Sequence, residues 1–160
     1  MREVEIVGLL ASPVHRYEGR PGDGPLPAVG RELHERVEVR AGLGIVGDRF
    51  FGHRAHTQEA VTIMAIESLE QIAAGLDPAR TRRNIITRGL DIDAMRGQEF
   101  TLDSGDGPVR FRAWRSANPC RWMDEQVAPG AFRALRGRGG MRCEPLSSGF
   151  LQLGPARLGA

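Results

Sequence analysis

Glycine and proline interrupt this chain so often that no long regular element fits between them. The 160 residues include 21 glycines and 10 prolines. Most of the segments between these residues are short and either apolar or alternately apolar and polar, a pattern typical of β-strands. The sequence therefore predicts a mostly β fold with a few short helices.

Individual segments support this fold class. The segment RVEVRAG alternates apolar and charged residues, as a half-buried strand does. Further strands are predicted in VEIVGLLAS, AVTIMA, NIITRGLDI, GQEFTLDS, GPVRFRAWR and GMRCEPLSSGFLQLG. Helices are predicted in IESLEQIAAGL, residues 66–76, and around residues 119–127 and 129–136, the last two with proline in the first turn. A closed or nearly closed barrel would leave no free sheet edges among so many strands.

Length and composition predict one folded domain, residues 1–160. No run of about 18 apolar residues is present, and acidic residues interrupt the apolar N-terminal stretch, so neither a membrane span nor a secretory signal is predicted. We therefore expect a cytoplasmic protein without a membrane partner. The two cysteines cannot form a disulfide framework, and we expect both thiols to be reduced.

All 22 basic residues are arginine. The absence of lysine excludes a Schiff base with pyridoxal phosphate and a Walker A nucleotide site. A net charge of +2 is too small for a nucleic-acid-binding face, so no nucleic-acid partner is expected. Arginine binds phosphate and carboxylate through a bidentate fork, which makes Arg80, Arg82, Arg83 and Arg88 candidates to hold an anion.

The segment SANPCRWMDE places Cys120 directly after a proline. If Asn118 caps a helix and Pro119 is its first residue, Cys120 is the second residue, where the positive end of the helix dipole favours a thiolate. Arg115 and Arg121 would act in the same direction. The alternative is that Cys120 is a small apolar side chain packed beneath the helix.

Four segments in order, GLGIVGDRFFG, RRNIITRGLDI, PCRWMDE and GRGGMRCEPLSSG, together resemble the MOSC domain, named for the C-terminal domain of molybdenum cofactor sulfurase. The resemblance covers about residues 30–154 and implies a β-barrel with short helices. Members of the family are thought to carry sulfur on the cysteine of the Pro-Cys motif, or to bind the molybdenum cofactor with that cysteine as a metal ligand. The matching residue here is Cys120.

The resemblance also implies a cofactor-binding set: Gly47, Asp48, Arg49, Arg82, Arg83, Asn84, Arg138, Gly139 and Gly140. Neighbouring side chains of a strand point to opposite faces, so Arg82, Arg83 and Asn84 cannot all face one site. Arg83 and Asn84 are the pair expected to reach the pterin or its phosphate. A structural salt bridge between Asp48 and Arg49, and an ordinary helix C-cap in the GRGG segment, are the alternatives.

Two features depart from the family pattern. Pro155 stands where family members often have an acidic residue, which places the closing strand in doubt. The aminotransferase-like sulfurase domain and the additional N-terminal β domain are not found in the sequence. Any sulfur on Cys120 is therefore expected to come from a donor protein or a small molecule.

Two mechanisms fit these residues. Cys120 would either carry sulfane sulfur as a persulfide, or ligate the molybdenum of a bound molybdopterin in a reductase of N-hydroxylated small molecules that takes electrons from a redox partner. The reductase is favoured because the arginines and glycines suit a phosphorylated ligand. Whether the chain is an enzyme stays open, since a non-catalytic cofactor-binding module would use the same residues.

Two further alternatives receive less support. A zinc site would combine His53 and His56 with Cys120 and Cys143, but no second pair of residues has ligand spacing. A cysteine hydrolase would need a histidine base, and all four histidines precede residue 57. Cys143 lies in the strand-like GMRCEPL segment with neither a helix cap nor a preceding proline, and we predict a structural role for it.

Overall fold

Ten β-strands carry most of the regular structure in the computed structural model, which describes residues 1–160. The strands are β1 (Arg2–Leu9), β2 (Arg36–Arg40), β3 (Gly44–Ile45), β4 (Val61–Ala65), β5 (Ile85–Arg88), β6 (Glu99–Asp103), β7 (Pro108–Ser116), β8 (Met141–Pro145), β9 (Gly149–Gln152) and β10 (Gly154–Gly159). The α-helices are α1 (Ile66–Glu70), α2 (Trp122–Gln126) and α3 (Ala131–Ala134). Short 3-10 helices lie at Pro21–Asp23, Arg54–Glu59, Pro78–Thr81 and Ile92–Ala94. None of the helices has the length and apolar character needed to traverse a lipid bilayer.

Seven of the strands form a closed barrel in the order β1-β10-β6-β7-β8-β4-β5, and β5 pairs with β1 to complete it. Neighbouring strands are antiparallel except β4 and β5, which are parallel. The other three strands form a second sheet in the order β3-β2-β9. The mostly β barrel with short helices that the sequence predicts is therefore confirmed.

Alternation along the strands fills the barrel with apolar side chains. Phe100 of β6 and Phe111 of β7 lie directly opposite each other, with ring centroids 5.7 Å apart, and both are fully buried. Burying one such side chain stabilises the fold by roughly 1.5–3 kcal/mol. Cys143 of β8 belongs to the same core, and burial raises the pKa of its thiol. The predicted structural role of Cys143 is confirmed.

The closing strand is regular despite its proline. β10 pairs with β1 from Arg2 opposite Leu158 to Ile6 opposite Gly154. The doubt that Pro155 raised was wrong, because this residue lies near the start of β10, before the pairing with β6 begins at Arg157. A proline at that place removes no ladder hydrogen bond to β6.

The helices are shorter than predicted. α1 ends at Glu70 rather than residue 76, and α2 and α3 begin after Pro119 and Pro129 instead of including them in their first turns. The apolar periodicity beyond Glu70 still corresponds to burial, because Ile72 and Leu76 pack against a second apolar cluster. The pattern therefore predicted which residues are covered but not how far the helix continues.

This second cluster fixes α2 against the barrel. Met123 of α2 is buried together with Met64 of β4 and Ile86 of β5. On another side of α2, the ring of Trp122 stacks on that of Tyr17 from the long β1–β2 connection, with centroids 4.8 Å apart and planes 6° apart. The chain just before α2 is thus held at a defined place.

Candidate functional site

Cys120 lies on the loop 117–121 that joins β7 to α2, and it is exposed. The prediction that it is the second residue of a helix capped by Asn118 was wrong, because α2 begins at Trp122 with Arg121 as its cap. The carbonyl of Asn118 instead accepts a hydrogen bond from Arg83 at 3.4 Å. Cys120 therefore stands one residue before the cap, outside the helix.

Arg83 binds this loop from the protein interior. Its Nη2 donates to the carbonyls of Ala117 at 2.9 Å and Asn118 at 3.4 Å, and its Nε donates to the carbonyl of Gly139 at 2.8 Å. Its Nη1 donates to the carbonyl of Thr81 at 3.4 Å. One buried guanidinium thus fastens three segments that are far apart in the sequence.

The charge of Arg83 has no carboxylate partner, unlike those of Arg49 and Arg82, which form ion pairs. Burial lowers the pKa of Arg83 to about 10; the positive charges of Arg142 and Arg49 act in the same direction, and Cys120 and Asp93 oppose them. The guanidinium is protonated at neutral pH. No carboxylate forms an ion pair with this buried cation, and the loop that carries Cys120 is bonded directly to it, so the place is suited to an anionic ligand.

The GRGG turn packs against the same loop. A Cβ atom on Gly139 would overlap the carbonyl oxygen of Ala117, so this approach requires glycine. The amide of Gly140 donates to Oδ1 of Asp93 at 2.9 Å, and its carbonyl accepts from the amide of Ala117 at 2.9 Å. The glycines of the motif therefore allow the turn to lie directly on the Pro-Cys loop.

The GDR segment forms a turn that the side chain of its aspartate, Asp48, stabilises. Gly47 has a φ of +88°, a conformation that favours glycine. Oδ1 of the buried Asp48 accepts from the amide of Ser12 at 3.1 Å and from Nη1 of Arg49 at 3.3 Å. Burial lowers the pKa of Arg49, and its buried Nε has no hydrogen-bond partner. The carboxylate of Asp48 therefore stabilises the turn, whereas the Nε of Arg49 remains free to donate a hydrogen bond.

Arg82 and Arg83 serve different parts of the molecule. Arg82 has a φ of 61°, the one positive value outside glycine, which reverses the chain between the two arginines. Its guanidinium forms an ion pair with Glu32 at 3.0 Å and donates to the carbonyl of Val14 at 3.2 Å. It therefore fastens the long β1–β2 connection, while Arg83 fastens the Pro-Cys loop.

Two other predicted residues are engaged elsewhere. Oδ1 of Asn84 accepts from the amide and hydroxyl of Thr62 at 2.9 and 3.1 Å, and its Nδ2 donates to the carbonyl of Leu10 at 3.0 Å. These bonds tie the amide of Asn84 into the barrel wall. Arg138 is exposed and lines a separate cleft of about 540 Å³ that also contains Asp93.

A basic cleft beside the loop was not predicted from the sequence. It has a volume of about 310 Å³ and is lined only by polar residues, namely Arg96, Arg115, Ser116, Asn118 and Arg142. Arg115 was predicted from the sequence as a neighbour of Cys120, but Arg96 and Arg142 were not predicted. The one available signal was alternation in β8, where Met141 and Cys143 face the core and the intervening Arg142 must face outward.

We expect iodoacetamide to label Cys120 in the native protein at pH 7 and to leave Cys143 unmodified. Cys120 is exposed, whereas Cys143 is fully buried and its thiol has a raised pKa. Peptide mass spectrometry before and after denaturation measures both thiols in one sample. Equal labelling of the two native thiols would contradict the placement of Cys120 on an accessible loop.

The structure does not support the zinc alternative. No three histidine, cysteine, aspartate or glutamate side chains come together in a group that could hold a metal ion. Cys143 is enclosed in the barrel core, whereas His53 caps the 3-10 helix Arg54–Glu59 and His56 lies within that helix. The four residues of the proposed zinc set therefore do not form a site.

Comparison with known proteins identifies the fold. No protein-family model matches the sequence, and no curated protein sequence matches it. The structure is similar to that of YuaD from Bacillus subtilis, with a TM-score of 0.72 and 15% identity over 98% of this chain and 94% of YuaD. It is also similar to YiiM from Geobacillus stearothermophilus, with a TM-score of 0.62 and 15% identity over 98% of this chain and 74% of YiiM. YiiM from Escherichia coli has a TM-score of 0.58 and 14% identity over 98% of this chain and 70% of its own. This chain therefore has the fold of YuaD and YiiM, a likeness that supports the MOSC-like barrel suggested by its motifs.

Proposed function

We propose that this chain binds the molybdenum cofactor at the Pro-Cys loop and, with Cys120 as a ligand of the metal, reduces N-hydroxylated small molecules. The observation that carries this proposal is the buried, unpaired charge of Arg83 beneath the loop that bears Cys120. Molybdopterin is anionic through its phosphate and its dithiolene sulfurs, and a cation without a carboxylate partner suits such a ligand.

The surrounding residues also fit this group. Cys120 offers an exposed sulfur, a soft ligand of the kind that binds transition metals. Arg49 keeps a buried Nε without a partner, close enough to Arg83 for their charges to interact. Asp93 already accepts from the amide of Gly140, whereas the amide of Gly139 has no hydrogen-bond partner within the chain and could donate to a ligand oxygen.

The chain's own residues would perform three tasks in such a reaction. Cys120 presents its sulfur, Arg83 holds the loop and offsets negative charge, and the stacked Trp122 keeps α2 and the preceding loop in place. The bound cofactor supplies two-electron redox chemistry. Reduction of an N–O bond consumes two electrons and two protons and releases an amine and water, with the electrons delivered by a redox partner protein.

Sulfur transfer is the second candidate function, and the exposure of Cys120 favours it. The thiolate would attack the sulfane sulfur of a donor, forming a new S–S bond as the donor's thiolate leaves, and would then hold a persulfide. This step needs a donor protein or small molecule that can reach the loop. A non-catalytic cofactor-binding module would use the same residues without turnover.

Metal and mass analysis of the wild-type protein tests the proposal. After reconstitution with molybdenum cofactor we expect about one molybdenum atom per chain, bound through a single thiolate ligand of the protein. A sulfur carrier would instead contain no molybdenum and would show a mass increment of ~32 Da that cyanide or reductant removes. A protein with neither property would contradict both functions.

A further inference from the structure

We infer that the cleft lined by Arg96, Arg115 and Arg142 binds a phosphate monoester beside Cys120. The inference deepens the proposed function and rests on it for the role of Cys120. The binding of phosphate by the cleft is independent of that role. Asn118 connects the two places, because it lines the cleft and belongs to the loop that carries the cysteine.

Two like charges lie opposite each other on neighbouring strands beside the cleft. A register shift in β7 between Ala113 and Arg115 places Arg115 directly opposite Arg142 of β8. Like charges in this position destabilise a sheet, and irregularities of this kind often occur beside functional sites. A bound anion would remove the repulsion between the two guanidiniums.

The cleft also has too little negative charge nearby to neutralise its three arginines. Oε1 of Glu59 lies 2.5 Å from Nη2 of Arg115, and Oε2 of Glu59 lies 3.4 Å from Nδ1 of His56. The side chains of Arg142 and Arg96 form neither an ion pair nor a hydrogen bond. Burial lowers the pKa of Arg142, Glu59 opposes this shift and Arg115 adds to it. Two of the three cations therefore lack a partner.

The chemistry of the lining selects the ligand. Three guanidiniums, the hydroxyl of Ser116 and the amide of Asn118 provide hydrogen-bond donors, and no apolar side chain contributes to the cleft. Guanidinium groups bind phosphate oxygens in pairs of parallel hydrogen bonds. A phosphate monoester is a dianion above its second ionisation, near pH 6, and its charge balances the two arginines without partners. A carboxylate would balance only one of them.

Calorimetric titration of the full-length chain with inorganic phosphate at pH 7.5 and constant ionic strength tests this site. We expect Arg142→Gln to weaken phosphate binding by about tenfold or more, because a charge-assisted pair of hydrogen bonds is lost. Glu59→Gln should strengthen binding severalfold, since it removes the competing carboxylate. Arg136→Gln is the matched control, because it removes one exposed arginine that lies outside the cleft. Equal affinity of Arg142→Gln and the wild type, or an equal loss in Arg136→Gln, would overturn the inference.

Cofactor-loaded protein distinguishes the two sources of the phosphate. If the pterin's own phosphate fills the cleft, the loaded protein should no longer bind inorganic phosphate. If the cleft receives a phosphorylated substrate, the loaded protein should bind inorganic phosphate as the cofactor-free protein does. The Cys120→Ser variant should bind phosphate like the wild type, so a failure of the proposed chemistry at Cys120 would leave this result unchanged.

Discussion

We expect Cys120→Ser to abolish the proposed molybdenum-dependent reduction of an N-hydroxylated base or amidoxime and to leave the fold intact. Replacing residues that merely support a metal ligand typically lowers affinity or activity 10–100-fold, so loss of the ligand itself should lower turnover by at least about a hundredfold. Because Cys120 is exposed, the added hydroxyl is solvated, and the free energy of unfolding should change by no more than about 0.5 kcal/mol. Turnover with a supplied electron donor, measured beside thermal unfolding, gives both values.

Cys143→Ala is the control for this substitution. It removes the other thiol from the barrel core and should lower the free energy of unfolding by about 1 kcal/mol while turnover persists. In the Cys120→Ser variant we expect pterin to remain bound in part, because the charge of Arg83 is unchanged. If the protein is a sulfur carrier, the same substitution should remove the ~32 Da increment instead. Unchanged turnover and unchanged mass would make Cys120 a residue without a chemical role.

Arg83→Met should lower the free energy of unfolding by about 3 kcal/mol or more. Methionine reaches only about as far as the Nε of the arginine and has no donor, so the carbonyls of Ala117 and Gly139 lose their hydrogen bonds in the interior. Each buried polar group without a partner costs about 1–3 kcal/mol. Because the same bonds hold the Pro-Cys loop, cofactor retention should be lost as well. Denaturant unfolding and pterin fluorescence measure the two effects.

Two further variants show what Arg83 contributes. Arg83→Lys keeps the positive charge but loses the planar guanidinium. If this variant binds more cofactor than Arg83→Met, the difference is the contribution of the charge alone. Arg136→Met removes an exposed arginine and should change stability by no more than about 0.5 kcal/mol. If Arg83→Met were no less stable than Arg136→Met, the hydrogen bonds to the loop would contribute nothing measurable.

The strands could be predicted because their signal is local. In RVEVR, the two valines of β2 are buried and the flanking arginines are exposed, as the alternation of the sequence indicates. The β10 strand shows where a local rule fails, since Pro155 is harmful only where its missing amide would have had a partner. Whether that partner exists depends on the hydrogen bonds between β10 and its neighbouring strands, which are distant in the sequence.

The site could be predicted only in part, because its geometry comes from contacts between distant segments. The sequence drew attention to Cys120 and Arg83, but the helical position of Cys120 was wrong because the carbonyl of Asn118 bonds to Arg83 instead of starting a helix. The opposition of Arg115 and Arg142 depends on a register shift in β7 that no local pattern indicates. A sequence pattern gives the direction of a side chain along one strand, but not which residue the neighbouring strand places beside it.

The contacts of Arg83 also link the shape of the Pro-Cys loop to segments that are distant in the chain. Its partners include the carbonyls of Ala117 and Gly139, and the barrel around them closes only when β10 lies between β1 and β6. Pairing between strands so distant in sequence forms slowly, because a long loop must close before any contact compensates for its lost entropy. The loop that carries Cys120 therefore takes its native shape only when residues that lie 34 and 56 positions apart in the chain have come together. The place of Cys120 is thus a late product of folding, and a partly folded chain does not yet present this cysteine in its native surroundings.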